Sequence, residues 1–373
     1  MNPIINVRYY EGCLVEINCS KKLKYRIIIK DDNIIYFDEI TNNRYNYLYK
    51  TYFIDYQIEV FLENELIFKE KINLTDKYVK ITCSASALGD NIAFIGQIDK
   101  FQKKHNCKIY FDTCGWSELF KEMYPNIKFE FNRPDKKCGL TCGLPIIGNI
   151  CDCWYATYLV GYNFDWENKS PVSPRLISLI KVASDQLGLE YEEIKPKINI
   201  ENKINLYNKK YICIAIQSTA KSKYWNYENG WEIICQYLNK RGYDVLCIDK
   251  NSKGCEVPTS AIDKTGDISI QERITDILNC EFFIGLGSGL SWLAWALNKD
   301  VIMISGFSNP ISEFKNNYRI FNPDVCNSCW NDPNFKFEDW GYCMRDKDFE
   351  CSKKIIPEMI IEKINLICGM FIF

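Results

Sequence analysis

The first candidate for chemistry is a carboxylate in the motif SALGD, where Leu88, Gly89 and Asp90 follow an apolar stretch and precede an amphipathic one. A strand that ends in such a turn and opens a helix presents backbone amides to an anion. At the start of that helix, Asp90 could accept the proton of an attacking hydroxyl group. Asp is also a favoured N-cap residue, so helix capping alone explains the same position. The spacing leaves both interpretations open.

A polar loop with two lysines directly follows another apolar stretch and suits a phosphate ligand. Hydroxyl and ammonium groups at the end of a strand can bind a diphosphate, because the ammonium charge offsets the negative charge of a leaving group. The alternative is a solvated basic loop that binds nothing. The candidate binding residues of this loop are Gln217, Ser218, Thr219, Lys221 and Lys223.

A glycine-rich turn between two apolar stretches is the third motif. Glycine lets a ligand approach the backbone closely, and the N-terminus of a following helix favours a phosphate group. The turn has neither the GKS or GKT of a Walker loop nor the GxGxxG spacing, and tight strand-to-helix turns also use glycine for steric reasons alone. The candidate phosphate-binding residues are Gly287, Ser288, Gly289, Leu290 and Ser291.

Four cysteines near the end of the chain have metal-ligand spacing. Cys326 and Cys329 form a CxxC pair, Cys343 follows after thirteen residues and Cys351 after seven more. Four thiolates form a closed tetrahedral site suited to zinc or iron, which indicates a structural role. The alternative is four unrelated buried cysteines. A weaker candidate group lies in the Cys- and Gly-rich segment 134–172, which has no clear period, at Cys138, Cys142, Cys151 and Cys153.

The chain contains a single histidine, His105, at the end of a helix-like stretch. A cation at the end of a helix is favoured by the helix dipole, which explains this residue without catalysis. One histidine also excludes Ser-His-Asp and Cys-His machinery and most catalytic zinc sites. Any general base must then be a carboxylate, which favours Asp90.

Bringing these motifs together requires strands whose ends meet. From Val79 onward, apolar and amphipathic stretches alternate in the pattern of a parallel α/β sheet, and ligands bind at the carboxyl ends of such strands. Helices are predicted over WSELFKEMY and from Ser173 onward, and a Pro- and Asn-bearing linker lies near residue 200. Short alternating stretches before residue 78 predict a small all-β module.

Composition and charge limit the class of protein. The chain has 373 residues, 47% of them hydrophobic and 25% charged, as expected for a globular protein of more than one domain. The formal net charge is −2 with no basic excess, so no nucleic-acid partner is expected. The first residues lack the pattern of a signal peptide, and no apolar run approaches the roughly 20 residues of a membrane span. We therefore expect a cytoplasmic protein.

The chain resembles the bacterial autotransporter protein O-heptosyltransferases, which are relatives of the lipopolysaccharide heptosyltransferases. The resemblance rests on the order of four motifs: SALGD, the lysine loop with its Lys-Tyr-Trp, GLGSGLSWLAWAL and the trailing cysteines. Two doubly wound halves joined by a linker also describe a GT-B enzyme. The expected fold is α/β of the GT-B type with two Rossmann-like domains. The expected divisions are a β-rich module for acceptor binding or assembly over residues 1–77, an N-terminal Rossmann-like domain over 78–200, and a donor-binding domain over 201–373 with a metal finger of four cysteines at 326–351.

The resemblance implies an inverting transferase that moves heptose from ADP-heptose to serines of an autotransporter adhesin passenger domain, without a catalytic metal. It implies that Asp90 is the catalytic base or essential to the acceptor site, that Lys223 contacts the donor, and that Ser288 to Ser291 hold the diphosphate. It implies iron on the four cysteines, with zinc as the alternative, and a homo-oligomer that reaches twelve subunits in some members. One departure is Trp292, where the lipopolysaccharide enzymes carry a histidine.

A transferase of the same fold with another donor or acceptor is the alternative within enzymes. Outside enzymes, the alternatives are a non-catalytic module that binds a sugar nucleotide and an assembly protein.

Overall fold

The computed structural model describes residues 3–129, 154–162, 166–201, 207, 209–250, 256–335 and 341–369. Cys138, Cys142, Cys151 and Cys153 lie outside these residues. The chain divides into two compact units. Unit 1 comprises Met1–Ser86, Phe94–Pro174 and Ile180–Ile194, and unit 2 comprises Ala87–Ala93, Arg175–Leu179 and Lys195–Phe373. The division at residues 77 and 200 that the sequence indicates stays a prediction.

Unit 1 is built from two β-sheets. Its strands are β1 (Ile4–Tyr10), β2 (Gly12–Asn18), β3 (Tyr25–Lys30), β4 (Ile35–Thr41), β5 (Tyr45–Tyr49), β6 (Gln57–Leu62), β7 (Glu65–Lys71), β8 (Tyr78–Cys83), β9 (Lys108–Asp112), β10 (Ile127–Lys128) and β11 (Ala156–Val160). The larger sheet has the order β10-β9-β8-β11-β1-β2-β5. Strands β10 to β1 of this order run parallel, and β2 and β5 join antiparallel.

The smaller sheet is antiparallel, with the order β4-β3-β6-β7. Its central strands β3 and β6 alternate buried and more exposed side chains, and Ile27, Ile29, Ile58 and Val60 are fully buried. This period of two matches the alternation that predicted strands in this part of the sequence.

The structure does not confirm a separate all-β module over residues 1–77. Strand β1 pairs in parallel with β11, with Tyr9 opposite Ala156 and Tyr10 opposite Thr157. The first strands therefore extend the parallel sheet that contains β8 and β9. A pairing partner so distant along the chain leaves no trace in the local pattern, which is why the sequence did not indicate it.

Two predicted helices of this part differ from the observed ones. Helix α1 (Leu88–His105) follows β8 as expected, but WSELFKEMY forms only a 3₁₀ helix, Ser117–Leu119, followed by turns. The next residue after this stretch is Pro125, which disfavours helical geometry at Tyr124. Helix α2 (Leu179–Gln186) begins later than Ser173, and the turn before it is tethered by the Arg175 guanidinium to the main-chain oxygens of Asp332 and Phe335.

Unit 2 contains a six-stranded sheet in which every strand runs parallel to its neighbours, with the order β14-β13-β12-β15-β16-β17. This is the order of a doubly wound Rossmann-like sheet. Its strands are β12 (Tyr211–Ala215), β13 (Asp244–Cys247), β14 (Ile262–Asp263), β15 (Phe283–Leu286), β16 (Val301–Ile304) and β17 (Arg319–Ile320). The helices are α3 (Gly230–Asn239), α4 (Ile270–Asn279), α5 (Gly289–Ala296), α6 (Glu350–Lys353) and α7 (Pro357–Ile367).

The three central strands β12, β15 and β16 are buried along their whole length. Parallel strands covered on both faces have continuous apolar sequences, and the runs YICIA, FIGL and VIMI made these strands predictable. The strand order reverses between β12 and β15. Among the described residues, no helix is both long and apolar enough to cross a membrane.

Candidate active site

The loops after β12 and β15 meet where the strand order of the parallel sheet reverses, the point at which open α/β sheets bind their ligands. Lys223 ends a short 3₁₀ helix, Lys221–Lys223, in the first of these loops. Its Nζ donates a hydrogen bond of 3.0 Å to the main-chain oxygen of Gly287 in the second loop. The lysine loop and the glycine loop therefore face the same site.

Close packing accounts for two glycines of the second loop. A Cβ on Gly287 would lie 2.8 Å from Oε1 of Glu313, and a Cβ on Gly289 would lie 2.9 Å from Cβ of Leu88. The steric interpretation of these glycines therefore holds at both positions. Since the loop still precedes a helix, steric packing does not exclude a phosphate ligand.

At the start of α5, one serine is buried and two other residues are partly exposed. Ser291 is fully buried, and its Oγ donates a hydrogen bond of 2.6 Å to the main-chain oxygen of Leu286. Ser288 is the N-cap residue in an extended conformation, and it and Leu290 are half-buried. The amides of this first turn, rather than the Ser291 hydroxyl, are the groups that can bind a phosphate.

Asp90 lies in the first turn of α1, as the third helical residue. The Gly89 that precedes it lies against a tryptophan, since a Cβ on Gly89 would be 2.8 Å from Cδ1 of Trp292. Burial raises the pKa of the Asp90 carboxyl to about 6, and the positive charge of Lys223 acts in the opposite direction. At neutral pH the carboxyl is mostly ionised and yet more basic than an exposed aspartate, which suits a general base.

The ammonium group of Lys223 lies near two carboxylates. Burial lowers the pKa of the Lys223 amine, and the negative charges of Glu313 and Asp90 oppose that change. The side chain is half-buried, so water screens its positive charge less than it would on an exposed lysine. Such a cation interacts strongly with an anion that enters the site.

A buried carboxylate that the sequence reasoning missed fixes the lysine loop. Asp249 follows β13, is 3% exposed and accepts hydrogen bonds from the amides of Ile216 at 2.7 Å and Gln217 at 3.2 Å. Burial raises the pKa of Asp249 to about 6, against these hydrogen bonds. Its position at a strand end was the available signal, since polar residues there meet those of the neighbouring strands.

The other candidate residues of the lysine loop differ in exposure. Thr219 and Lys221 are exposed, and Ser218 is half-buried. The side-chain amide nitrogen of Gln217 is buried and has no hydrogen-bond partner among the described residues. An unpaired buried donor at a strand end is a group that a ligand can satisfy.

Two further charged residues were missed because no local pattern marks them. Glu313 and Arg319 form an ion pair of 2.5 Å, and their side chains are 8% and 7% exposed. Ser308 Oγ also donates to Oε1 of Glu313 at 2.6 Å. Only the folded loops bring the Glu313 carboxylate of this pair against Gly287.

The four cysteines of the predicted finger lie in neighbouring segments. Cys329 and Cys351 are buried and Cys326 and Cys343 half-buried. Burial raises the pKa of Cys351 to about 12, and the other three thiols act in the same direction. Within the described ranges, however, no three or more metal-ligating side chains are arranged to hold an ion. The structure thus gathers the four residues without confirming a metal finger.

These cysteine segments contact the loop after β16 and the chain just after the lysine loop. The amides of Ser328 and Trp330 donate to the main-chain oxygens of Gly306 and Phe307, at 2.9 and 3.0 Å, in the loop that leads to Glu313. On the other side, Ser352 Oγ accepts a hydrogen bond of 2.8 Å from Nδ2 of Asn226, which closely follows Lys223 in the chain. Hydrogen bonds therefore link the cysteine segments to the segments that flank Lys223 and Glu313.

Comparison with known proteins gives the class. The family model of glycosyltransferase family 9, heptosyltransferase, matches residues 158–338. The autotransporter heptosyltransferase Aah of Escherichia coli is 38% identical over 333 residues, which cover 83% of this chain and 80% of Aah. BimC of Burkholderia thailandensis, named an inactive autotransporter heptosyltransferase, is 30% identical over 86% of this chain and 76% of BimC.

Similar solved structures are also those of a glycosyltransferase. The crystal structure of TibC, an iron-containing dodecameric glycosyltransferase of enterotoxigenic E. coli H10407, has a TM-score of 0.87 and 31% identity, covering 98% of this chain and 96% of TibC. A complex of TibC with ADP-D-β-D-heptose has a TM-score of 0.85 and 30% identity over the same shares of both chains.

The chain shares its α/β fold with TibC along nearly its whole length, and it has a lysine and a carboxylate at the switch point of the sheet. These features define a glycosyltransferase. Its relatives narrow the class to heptosyltransferases. The chain belongs to the autotransporter heptosyltransferase family.

Proposed function

We propose that the protein transfers heptose from ADP-heptose to serine hydroxyls of a bacterial autotransporter adhesin, with inversion at the anomeric carbon. The observation that carries this proposal is the position of Lys223 at the switch point, bonded to Gly287 and next to Asp90. The family supports the heptosyl group, and the complex of TibC with ADP-D-β-D-heptose supports the donor.

In the proposed mechanism, Asp90 accepts the proton of the acceptor hydroxyl. The hydroxyl oxygen then forms a bond to the anomeric carbon while the bond from that carbon to the diphosphate oxygen breaks. A single displacement of this kind inverts the configuration. Lys223 and the amides at the start of α5 offset the charge that develops on departing ADP, which is the main electrostatic demand of the step.

The remaining donor contacts are proposed from the same loops. Gln217 offers an unpaired buried donor, and Ser218, Thr219 and Lys221 lie on the same loop. Leu88 and Gly89 pack beside the glycine loop, where they shape the pocket for the sugar. The two halves of the chain would act as the two Rossmann-like domains of a GT-B enzyme.

Cys326, Cys329, Cys343 and Cys351 would hold one iron ion, with zinc as the alternative. Four thiols in neighbouring segments are a donor set that both metals accept, and TibC is iron-containing. Bound there, the metal would cross-link the segments that support the site loops, and no step of the transfer would involve it. We also propose cytoplasmic action, before the acceptor is exported, and a homo-oligomer, for which the dodecameric TibC supports a count of twelve.

The test is mass spectrometry of a serine-rich passenger fragment incubated with the enzyme and a panel of sugar nucleotides. A mass gain of whole heptose units with ADP-heptose alone is the expected result, and a configuration opposite to that of the donor at the new bond would establish inversion. A gain with another donor would preserve the mechanism and overturn the heptose assignment.

A second candidate is a protein that binds the sugar nucleotide without transferring the sugar. The observation that favours it is the relative BimC, which is named inactive. Donor binding measured by calorimetry without mass gain on any acceptor would support this candidate over the first.

A further inference from the structure

Glu313 packs against Gly287, the residue whose carbonyl oxygen Lys223 contacts. The Nζ of Lys223 is 3.0 Å from the oxygen of Gly287, and a Cβ on Gly287 would lie 2.8 Å from Oε1 of Glu313. The absence of a side chain at Gly287 is thus what lets the carboxylate approach the loop. The negative charge of Glu313 acts on Lys223 across this glycine.

Glu313 is itself held in place on both of its oxygens. Oε1 accepts the hydrogen bond from Ser308 at 2.6 Å, and Oε2 pairs with Arg319 at 2.5 Å. Arg319 also donates to Oγ of Ser305 at 2.7 Å. Such partners compensate a buried carboxylate for the hydration that it loses.

The backbone at Glu313 is fixed as well. Phe314, the next residue, is 2% exposed and lies with its ring centroid 5.0 Å from each of Trp292 and Trp295. Before it, Asn309 caps the 3₁₀ helix Pro310–Ser312 by accepting from the amide of Ile311. The carboxylate therefore has little freedom to move away from the Gly287 loop.

We propose that Glu313 is a positioning residue, which keeps the Lys223 amine protonated and directed at the Gly287 loop. This inference rests on the proposed function, in which the charge of Lys223 offsets that of departing ADP. Without Glu313, Asp90 would be the one counter-charge left near Lys223 among the described residues, and in the proposed mechanism Asp90 takes up a proton during transfer. A second carboxylate outside the reaction keeps the lysine charged through that change.

The charged groups that face Lys223 come from two elements. Asp90 faces it from α1 and Glu313 from the segment before β17, and Arg319 of β17 faces Glu313. Removal of the Glu313 charge leaves burial opposed by Asp90 alone, so Lys223 loses its proton at lower pH. The alkaline limb of the pH–rate profile then moves to lower pH, and the acidic limb moves little because it belongs to Asp90.

The decisive experiment measures Lys223 itself. Competitive labelling with acetic anhydride over a range of pH, read by mass spectrometry, gives the titration midpoint of this amine without donor or acceptor. In full-length Glu313→Gln the midpoint is expected at lower pH than in the native protein, and in Glu313→Asp close to native. Glu362→Gln, on an exposed position of α7, is the matched control and should leave the midpoint unchanged.

In parallel, kcat/KM of Glu313→Gln should fall about tenfold more at alkaline than at neutral pH, the loss expected for one nearby charge. A native midpoint in Glu313→Gln, or an equal loss of kcat/KM at every pH, would overturn the inference. If Arg319 left without its partner unfolds that variant, Glu313→Gln with Arg319→Gln removes both charges, and a smaller midpoint shift in the same direction is expected because Glu313 lies nearer to Lys223. A midpoint shift in a protein that transfers no sugar would overturn the proposed function, while the effect of Glu313 on the Lys223 amine would remain established.

Discussion

Lys223 and Gly287 are joined by a hydrogen bond from the lysine Nζ to the glycine carbonyl at 3.0 Å. The bond links two loops that are 64 residues apart in sequence and adjacent at the carboxyl ends of the central strands β12 and β15. Because the amine uses one proton for this bond, its remaining protons stay available for an entering anion. The contact therefore orients the cation before any ligand arrives.

Replacing Asp90 by Asn should abolish most of the transfer while sparing donor binding. The amide keeps the shape of the side chain but cannot accept a proton, and a general base contributes about 10²–10⁴-fold to rate. We expect kcat to fall by about that factor and the affinity for ADP, measured by calorimetry, to change little. Asp99→Asn on the same helix is the control and should keep kcat. Near-native turnover of Asp90→Asn would remove Asp90 from the mechanism.

The pH dependence of the native enzyme should show an acidic limb near the pKa of Asp90, about 6. A base must be ionised to act, so kcat/KM is expected to fall about tenfold per pH unit below that value. Burial raises this pKa above that of an exposed aspartate. As the pH falls, activity should therefore be lost at a higher pH than for an enzyme whose base is an exposed aspartate. A profile that stays flat well into the acidic range, where an exposed aspartate titrates, would contradict the assignment.

Lys223→Met should move that acidic limb to still higher pH and weaken ADP binding. The lysine charge lowers the pKa of Asp90, so its removal lets burial act unopposed and raises the pKa further. The measurements are the pH profile of residual activity and the Kd for ADP. Lys240→Met, at an exposed position after α3, is the control for loss of a surface charge. An unmoved limb in Lys223→Met would show that the two residues do not interact.

Asp249→Ala should destabilise the protein through the lysine loop. It leaves the amides of Ile216 and Gln217 without their acceptor, and a buried unpaired group costs about 1–3 kcal/mol. The free energy of unfolding from urea titration is expected to fall by about that amount. Asp267→Ala, whose side chain is 91% exposed, should change it by less than about 0.5 kcal/mol. Equal stability of the two variants would show that Asp249 does not hold the loop.

Cys326→Ser should lower both the metal content and the melting temperature. Loss of one of four thiols weakens a proposed metal cross-link, and we expect Tm to drop by about 5–10 °C. Metal content by plasma mass spectrometry and thermal unfolding by circular dichroism are the measurements. Cys114→Ser, an exposed cysteine far along the chain from the others, is the control. Unchanged metal content in Cys326→Ser would reject the ligand assignment.

The parallel sheet of unit 2 was predictable because its central strands are apolar throughout. Because these strands could be located, the polar residues that follow them could be expected to meet at one end of the sheet. Lys223 and Gly287 do lie together there. Glu313 was not predictable, since Ser308 and Arg319, the side chains that bind its carboxylate, meet it only in the folded loop.

His105 shows how burial overrides a local rule. As the last residue of α1 it was expected to be a cation that favours the helix dipole. The structure places its ring 4.4 Å from that of Phe101 and 4.9 Å from that of Phe53. Burial lowers the pKa of His105 to about 4, so the side chain is neutral at physiological pH and that expectation was wrong.

The contact between Gly306 and Cys351 joins the last of the four cysteines to the loop that follows β16. A Cβ on Gly306 would lie 2.5 Å from the main-chain oxygen of Cys351, so the two backbones are in direct contact. Trp225, which closely follows Lys223, donates from Nε1 to the oxygen of Ile355 at 2.7 Å. A shortened form that stops before the cysteines would lack these contacts to the loop after β16 and to the chain after Lys223. We therefore expect truncation at that point to loosen the lysine loop and the loop after β16, so that the sheet of unit 2 needs the segment that follows it.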